Sequence, residues 1–110
     1  IGVRVVDRIV ANAWAARRIA ARCLRAVGAA HAPECVKLSV FHDAFGRGYA
    51  LPTLAGEEVT RVLADTEGIA LDTTYTAKTV AGLRALAAVG DLAGKRVLYW
   101  HTLNPVPLPG

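Results

Sequence analysis

The run Cys35–Gly68, CVKLSVFHDAFGRGYALPTLAGEEVTRVLADTEG, decides the fold, because it holds a strand, a long loop and a helix in succession. "CVKLSVFH" (35–42) is rich in β-branched and aromatic residues and predicts a strand, whereas the glycines and proline of "DAFGRGYALP" break regular structure. "TLAGEEVTRVLADTEG" then predicts a helix. Thr53 is its cap, Glu57 and Glu58 lie early where the helix dipole favours acids, and Val59, Val62 and Leu63 share a face up to the stop at Gly68. The long loop between them is the first place to expect function.

Working outward, "VRVV" (3–6) predicts a strand, and the alanines and arginines of "NAWAARRIAARCLRAV" (12–27) predict a helix that Gly28 ends. After Gly68 come a short extended link, "IALD", and a third helix, "TYTAKTVAGLRALAAVG", with Val80, Leu83 and Ala87 inward and Gly90 at its end. "KRVLYWHT" predicts a last strand. Strands near 3–6, 36–42 and 96–101 in the order βαβααβ predict an α/β fold, a mostly parallel sheet with helices on both faces. Ligands in such sheets gather beyond the carboxyl ends of the strands. Tyr49 after the second strand, Tyr75 at the start of the third helix and Thr102 at the end of the last strand are thus expected around one concavity.

The composition sets the outer bounds. The chain has 110 residues and 54% hydrophobic content, much of it alanine, and no run of about 18 apolar residues that would suggest a membrane span. The start, "IGVRVVDRIV", alternates apolar and charged residues and lacks the apolar stretch of a signal peptide, so a cytoplasmic setting is the default expectation. The absence of methionine and the strand-like opening residues suggest a piece cut from something longer. Cys23 and Cys35 are too few for a disulfide framework and are expected to be reduced and structural. Drawn together with His31 they match no standard zinc spacing, so no metal site is expected. His42 and His101, at strand ends, are expected to cap or hydrogen-bond locally. A net charge of +4 and the helical row Arg18, Arg22 and Arg25 beside Arg17 admit a nucleic-acid-binding module as a rival class. A solvated face explains them more simply, since no aromatic residues interleave with the basic ones.

Three short motifs resemble one known family. "GYALP" (48–52), "EGIALDTTYTAK" (67–78) and "VLYWHT" (97–102) are similar to the "GYG(I/L)P", "EGI.LDP(V)YTGK" and "VLFIHTGG" motifs of the fold type II pyridoxal-phosphate enzymes. The branch is that of D-cysteine desulfhydrase and 1-aminocyclopropane-1-carboxylate deaminase. The resemblance runs from about Val36 to Thr102 and implies the C-terminal part of the large cofactor-binding domain, residues 1–110, in a tryptophan-synthase-beta-like fold. It implies pyridoxal 5'-phosphate as cofactor, a small amino acid as substrate, a 2-oxo acid and ammonia as products, and a homodimer when intact. Tyr49 and Tyr75 then face the substrate as catalytic phenols, with Thr102 and Thr76 on the cofactor side and Thr102 near the ring nitrogen. Thr76, standing where the deaminase has an acid, points to the desulfhydrase side. The family's imine-forming lysine and phosphate loop lie upstream in its pattern, so this chain alone is expected to be inactive. A non-catalytic paralogue that keeps the fold is the remaining alternative.

A phenol near its ordinary pKa of about 10 needs help to exchange protons at neutral pH, and the helix N-terminus predicted at Tyr75 favours phenolate modestly. Lys78, one turn into the same helix, is expected to be a surface or supporting charge near the pocket rather than an imine former.

Overall fold

The computed structural model describes residues 1–29 and 38–102. Its elements are strand β1 (Gly2–Val3), helix α1 (Ala13–Ala26), strand β2 (Val40–Phe41), a single 3-10 turn at Asp43–Phe45, helix α2 (Leu54–Glu67) and helix α3 (Thr76–Ala88). The molecule is α/β, with a parallel two-stranded sheet and three helices. β1 and β2 pair in the register Gly2 to Val40 and Val3 to Phe41. The Gly2 amide donates to Ser39 O at 2.8 Å and the Arg4 amide to Phe41 O at 2.9 Å.

Each helix begins where a polar side chain can take an orphan amide. The Asn12 side chain accepts from the Ala15 amide at 2.9 Å, and Thr53 Oγ1 accepts from the Gly56 amide at 3.1 Å. The helices are closed by Gly28, Gly68 and Gly90, whose φ values of 68°, 67° and 81° lie where a side chain is disfavoured.

The core lies between α2 and α3. Val59, Leu71 and Ala77 are buried, and Leu63, Val80 and Ala81 pack around them. Two glycines permit the close approaches. A Cβ on Gly56 would crowd the capping Thr53 Oγ1 at 2.9 Å, on the face where α2 stands in ordinary contact with Ala77 of α3, at 3.5 Å. One on Gly82 would meet Phe41 Cδ1 at 3.1 Å and Val3 Cγ1 at 3.2 Å, so α3 rests directly on the two strands there.

Several sequence expectations change. The strands are two residues each, shorter than 3–6 and 36–42, of which residues 36 and 37 lie outside the described ones. Residues 96–101 are neither strand nor helix, and none of their backbone groups bonds to another described segment. An apolar run becomes a strand only when a neighbour satisfies its amides and carbonyls, and here none does. Helix α3 covers one side of the sheet, whereas α1 buries no residue. Val62 and Ala87, expected inward, are exposed, while Gly82 and Leu86 are buried. The inward face of α3 is therefore the row Lys78, Gly82 and Leu86. Cys23 is exposed rather than structural, and His31 and Cys35 lie outside the described residues.

The tight seat of α3 on the strands yields a direct test. Gly82→Val forces side-chain atoms against Val3 and Phe41 and is expected to lower stability by about 1–3 kcal/mol, the usual range for overpacking. A urea denaturation midpoint unchanged from the parent would contradict the seat.

Candidate functional site

The site is built on the N-terminus of α3, and Asp72 makes that terminus. Asp72 Oδ1 accepts the amides of Thr74 at 2.9 Å and Tyr75 at 2.7 Å, and Oδ2 accepts the Thr76 amide at 2.9 Å. The Thr76 hydroxyl donates to Oδ2 at 2.6 Å and accepts from the Asp72 amide at 2.8 Å. Burial pushes the Asp72 carboxyl up, but the Thr76 hydroxyl and the amides of Tyr75, Thr76 and Thr74 outweigh it and hold the group below the usual carboxylate value. Tyr75, the residue before the first helical turn, is carried outward by this cap.

Tyr49 meets it from the loop after β2. The two phenol oxygens are hydrogen-bonded to each other, and the rings stand edge to face, with centroids 6.1 Å apart and an interplanar angle of 69°. The Tyr75 phenol is pushed above its ordinary value, first by the Tyr49 hydroxyl bonded to it, then by burial, then by the charges of Tyr49 and Asp72. The expectation of a helix-favoured phenolate is thereby corrected. The positive end of α3 is already occupied by the Asp72 carboxylate, and the neighbouring hydroxyl favours the neutral phenol.

Tyr75, Thr76 and Thr102 line one concavity of about 400 Å³ together with Thr79, Tyr99 and Trp100. Tyr49, expected around the same concavity, does not line it and touches only Tyr75 at its edge. Thr79, Tyr99 and Trp100 were not singled out from the sequence. Thr79 follows Tyr75 by one helical turn, a spacing that signals a shared face, whereas Tyr99 and Trp100 looked like ordinary strand residues. The Tyr99 phenol is held high by burial first and by the Asp72 charge second, and its oxygen lies 3.4 Å from His101 Nδ1. His42 does not take the expected local role, since its side chain makes no capping bond. It precedes the 3-10 turn and its carbonyl accepts from an Arg4 guanidinium nitrogen at 3.2 Å, while its Nδ1 is buried without a partner.

Lys78 is not a surface charge. It is fully buried, and its ammonium donates to Phe45 O at 3.0 Å and to Gly48 O at 2.8 Å. Burial lowers its pKa. The arginine row of α1 is exposed as expected, but the Arg18 guanidinium lies 4.7 Å from the centre of the Trp14 ring, a basic–aromatic contact the sequence reading had missed.

No helix among the described residues is long and apolar enough to cross a membrane. No family model matches the chain. It is 44% identical over 71 residues to D-cysteine desulfhydrase of Salmonella typhi, and equally so to the enzymes of that name from Salmonella newport and Salmonella heidelberg. The matched stretch covers 59% of this chain and 20% of each relative.

Asp72→Ala is expected to cost about 1–2 kcal/mol at neutral pH through loss of the helix cap. Because the folded carboxyl titrates below the unfolded one, its contribution is present above the unfolded pKa and is lost as pH falls through the folded value. Asp72→Asn should therefore flatten the acid limb of a stability–pH curve measured by thermal unfolding, and an unaltered acid limb would contradict the cap. The chain spans about a fifth of the length of the curated relatives it matches.

Proposed function

We propose that the chain is the C-terminal part of the large cofactor-binding domain of a pyridoxal-phosphate lyase. The intact protein acts on a small amino acid, in the manner of D-cysteine desulfhydrase, and releases a 2-oxo acid and ammonia. The 44% identity to that enzyme carries the reading. The phenol pair supplies the chemistry.

The described residues suit the substrate side of such a site. The concavity is lined by hydroxyl-bearing Tyr75, Tyr99 and Thr102 and by aromatic Trp100, residue types suited to an aromatic ring carrying polar groups. Thr102 would face the ring. Thr76 would contribute mainly by packing, since its hydroxyl is engaged with Asp72. The cofactor, when bound, supplies an electron sink that stabilises negative charge on the carbon bearing the amino group. Lys78 is not available to form an imine with it, because its ammonium is committed to two carbonyls. That role falls to a lysine elsewhere in the longer protein.

Tyr75 keeps its proton at neutral pH and is thus a donor. A base elsewhere in the longer protein would take the proton of the carbon bearing the amino group, and the pair left there would form the double bond to the β carbon as the bond to sulfur breaks; sulfur would leave with that bond's pair and take its proton from Tyr75. Tyr49 orients the phenol through the hydrogen bond between them. We place the intact enzyme in the cytoplasm as a homodimer. A nucleic-acid role for the exposed arginines beside Trp14 is the second reading, and a salt-sensitive gel shift at low ionic strength would support it.

Sulfide release from D-cysteine by the longer enzyme tests the activity, and its absence would remove it. In that enzyme Tyr75→Phe is expected to lower kcat by about 10²–10⁴-fold with little change in KM, the range for a positioned proton-transfer group. Tyr49→Phe should fall about tenfold, the worth of one neutral hydrogen bond. The 110-residue chain by itself should give no borohydride-stable adduct with the cofactor. A stoichiometric adduct at Lys78 would reverse its assignment.

A further inference from the structure

Helix α3 grips the Tyr49 loop from below. Lys78 stands three residues after Tyr75 on the same helix, and its side chain crosses to the loop, where it donates to the carbonyls of Phe45 and Gly48. The Gly48 carbonyl belongs to the peptide group that leads into Tyr49. A fully buried ammonium is costly to leave without acceptors, and two of its three N–H groups find them in these carbonyls, so the two bonds are expensive to break. The Phe45 ring adds to the grip, with the Lys78 Nζ 5.5 Å from its centre and the Arg4 guanidinium 4.3 Å away. On the far side of Tyr49, Ala50 has φ 59°, a conformation that an L-residue adopts only when its surroundings impose it. The loop is therefore held in a conformation it would not choose alone, and α3 carries both the clamp and the phenol that Tyr49 must meet.

We propose that Lys78 is a positioning residue: its buried ammonium fixes the loop 45–49 against α3 and so sets the meeting of the Tyr49 and Tyr75 hydroxyls. The catalytic consequence rests on the pyridoxal-phosphate reading above, whereas the geometric one does not. Lys78→Met keeps the length and apolar stem of the side chain and removes only the donors. In the longer enzyme this variant lowers kcat for D-cysteine by about the same factor as Tyr49→Phe, leaves KM nearly unchanged, and causes no further loss when combined with it. A merely structural lysine would instead lower kcat equally in both backgrounds, and that result would overturn the proposal.

A second arm separates the two readings. In the 110-residue chain, nuclear Overhauser contacts between the Tyr49 and Tyr75 rings are expected in the parent and lost in Lys78→Met, with the helical circular dichroism retained. Retained ring contacts would overturn the positioning role. If the longer parent enzyme releases no sulfide, the lyase reading fails and the ring contacts alone decide the role of Lys78. If Lys78→Met does not fold, the parent decides. Slowly exchanging Nζ protons with contacts to Phe45 and Gly48 support the clamp, and rapidly exchanging ones without such contacts refute it.

Discussion

The carboxylate of Asp72 is the constraint on which the site depends. By accepting three consecutive amides and the Thr76 hydroxyl, it determines where α3 starts and in which direction its first turn points. Every residue of functional interest on that helix inherits its place from this point. Tyr75 is thrown outward at the cap, Thr76 is turned inward, and Lys78 is directed under the neighbouring loop. A shift of one residue in the cap would rotate all three by about 100°, the angle between successive residues at 3.6 per turn.

The packing around α3 explains why the site can be rigid in so small a body. The helix is wedged between α2, through Ala77 at Gly56, and the two strands, through Gly82 at Phe41 and Val3. Only Val59, Leu71, Ala77 and Leu86 are buried apolar residues among those described, and they come from α2, the link before α3 and α3 itself. Polar bonds take over where apolar contact ends. The Tyr49 loop is fixed by an ammonium and an aromatic ring rather than by aliphatic burial, which lets a phenol project from it without being covered.

The chemistry of the paired phenols follows from what surrounds them. A helix N-terminus by itself would favour phenolate, but its field is already satisfied by Asp72, and the Tyr49 hydroxyl bonded to Tyr75 pushes the Tyr75 phenol up. The local electrostatics thus select a proton donor over a base. The same carboxylate that builds the helix also raises the cost of removing a proton from Tyr75.

Local signals carried much of this. The capping residue Thr53 and the terminating Gly28, Gly68 and Gly90 were legible in the sequence because a cap depends on neighbours within a few residues. The three helices were therefore placed correctly, and Tyr49, Tyr75 and Thr102 could be singled out by motif. What the sequence alone could not determine are relations between distant segments. Whether "VLYW" becomes a strand depends on a partner for its backbone, and none of the described residues provides one. That Lys78 is buried depends on the carbonyls of Phe45 and Gly48, 33 and 30 residues away along the chain, being brought over it. The raised proton affinity of Tyr75 likewise depends on a hydroxyl 26 residues upstream. Propensities and caps act within a turn or two of the chain, whereas burial, pairing and proton affinity are set by whatever the fold brings into contact, and so only the tertiary structure decided them.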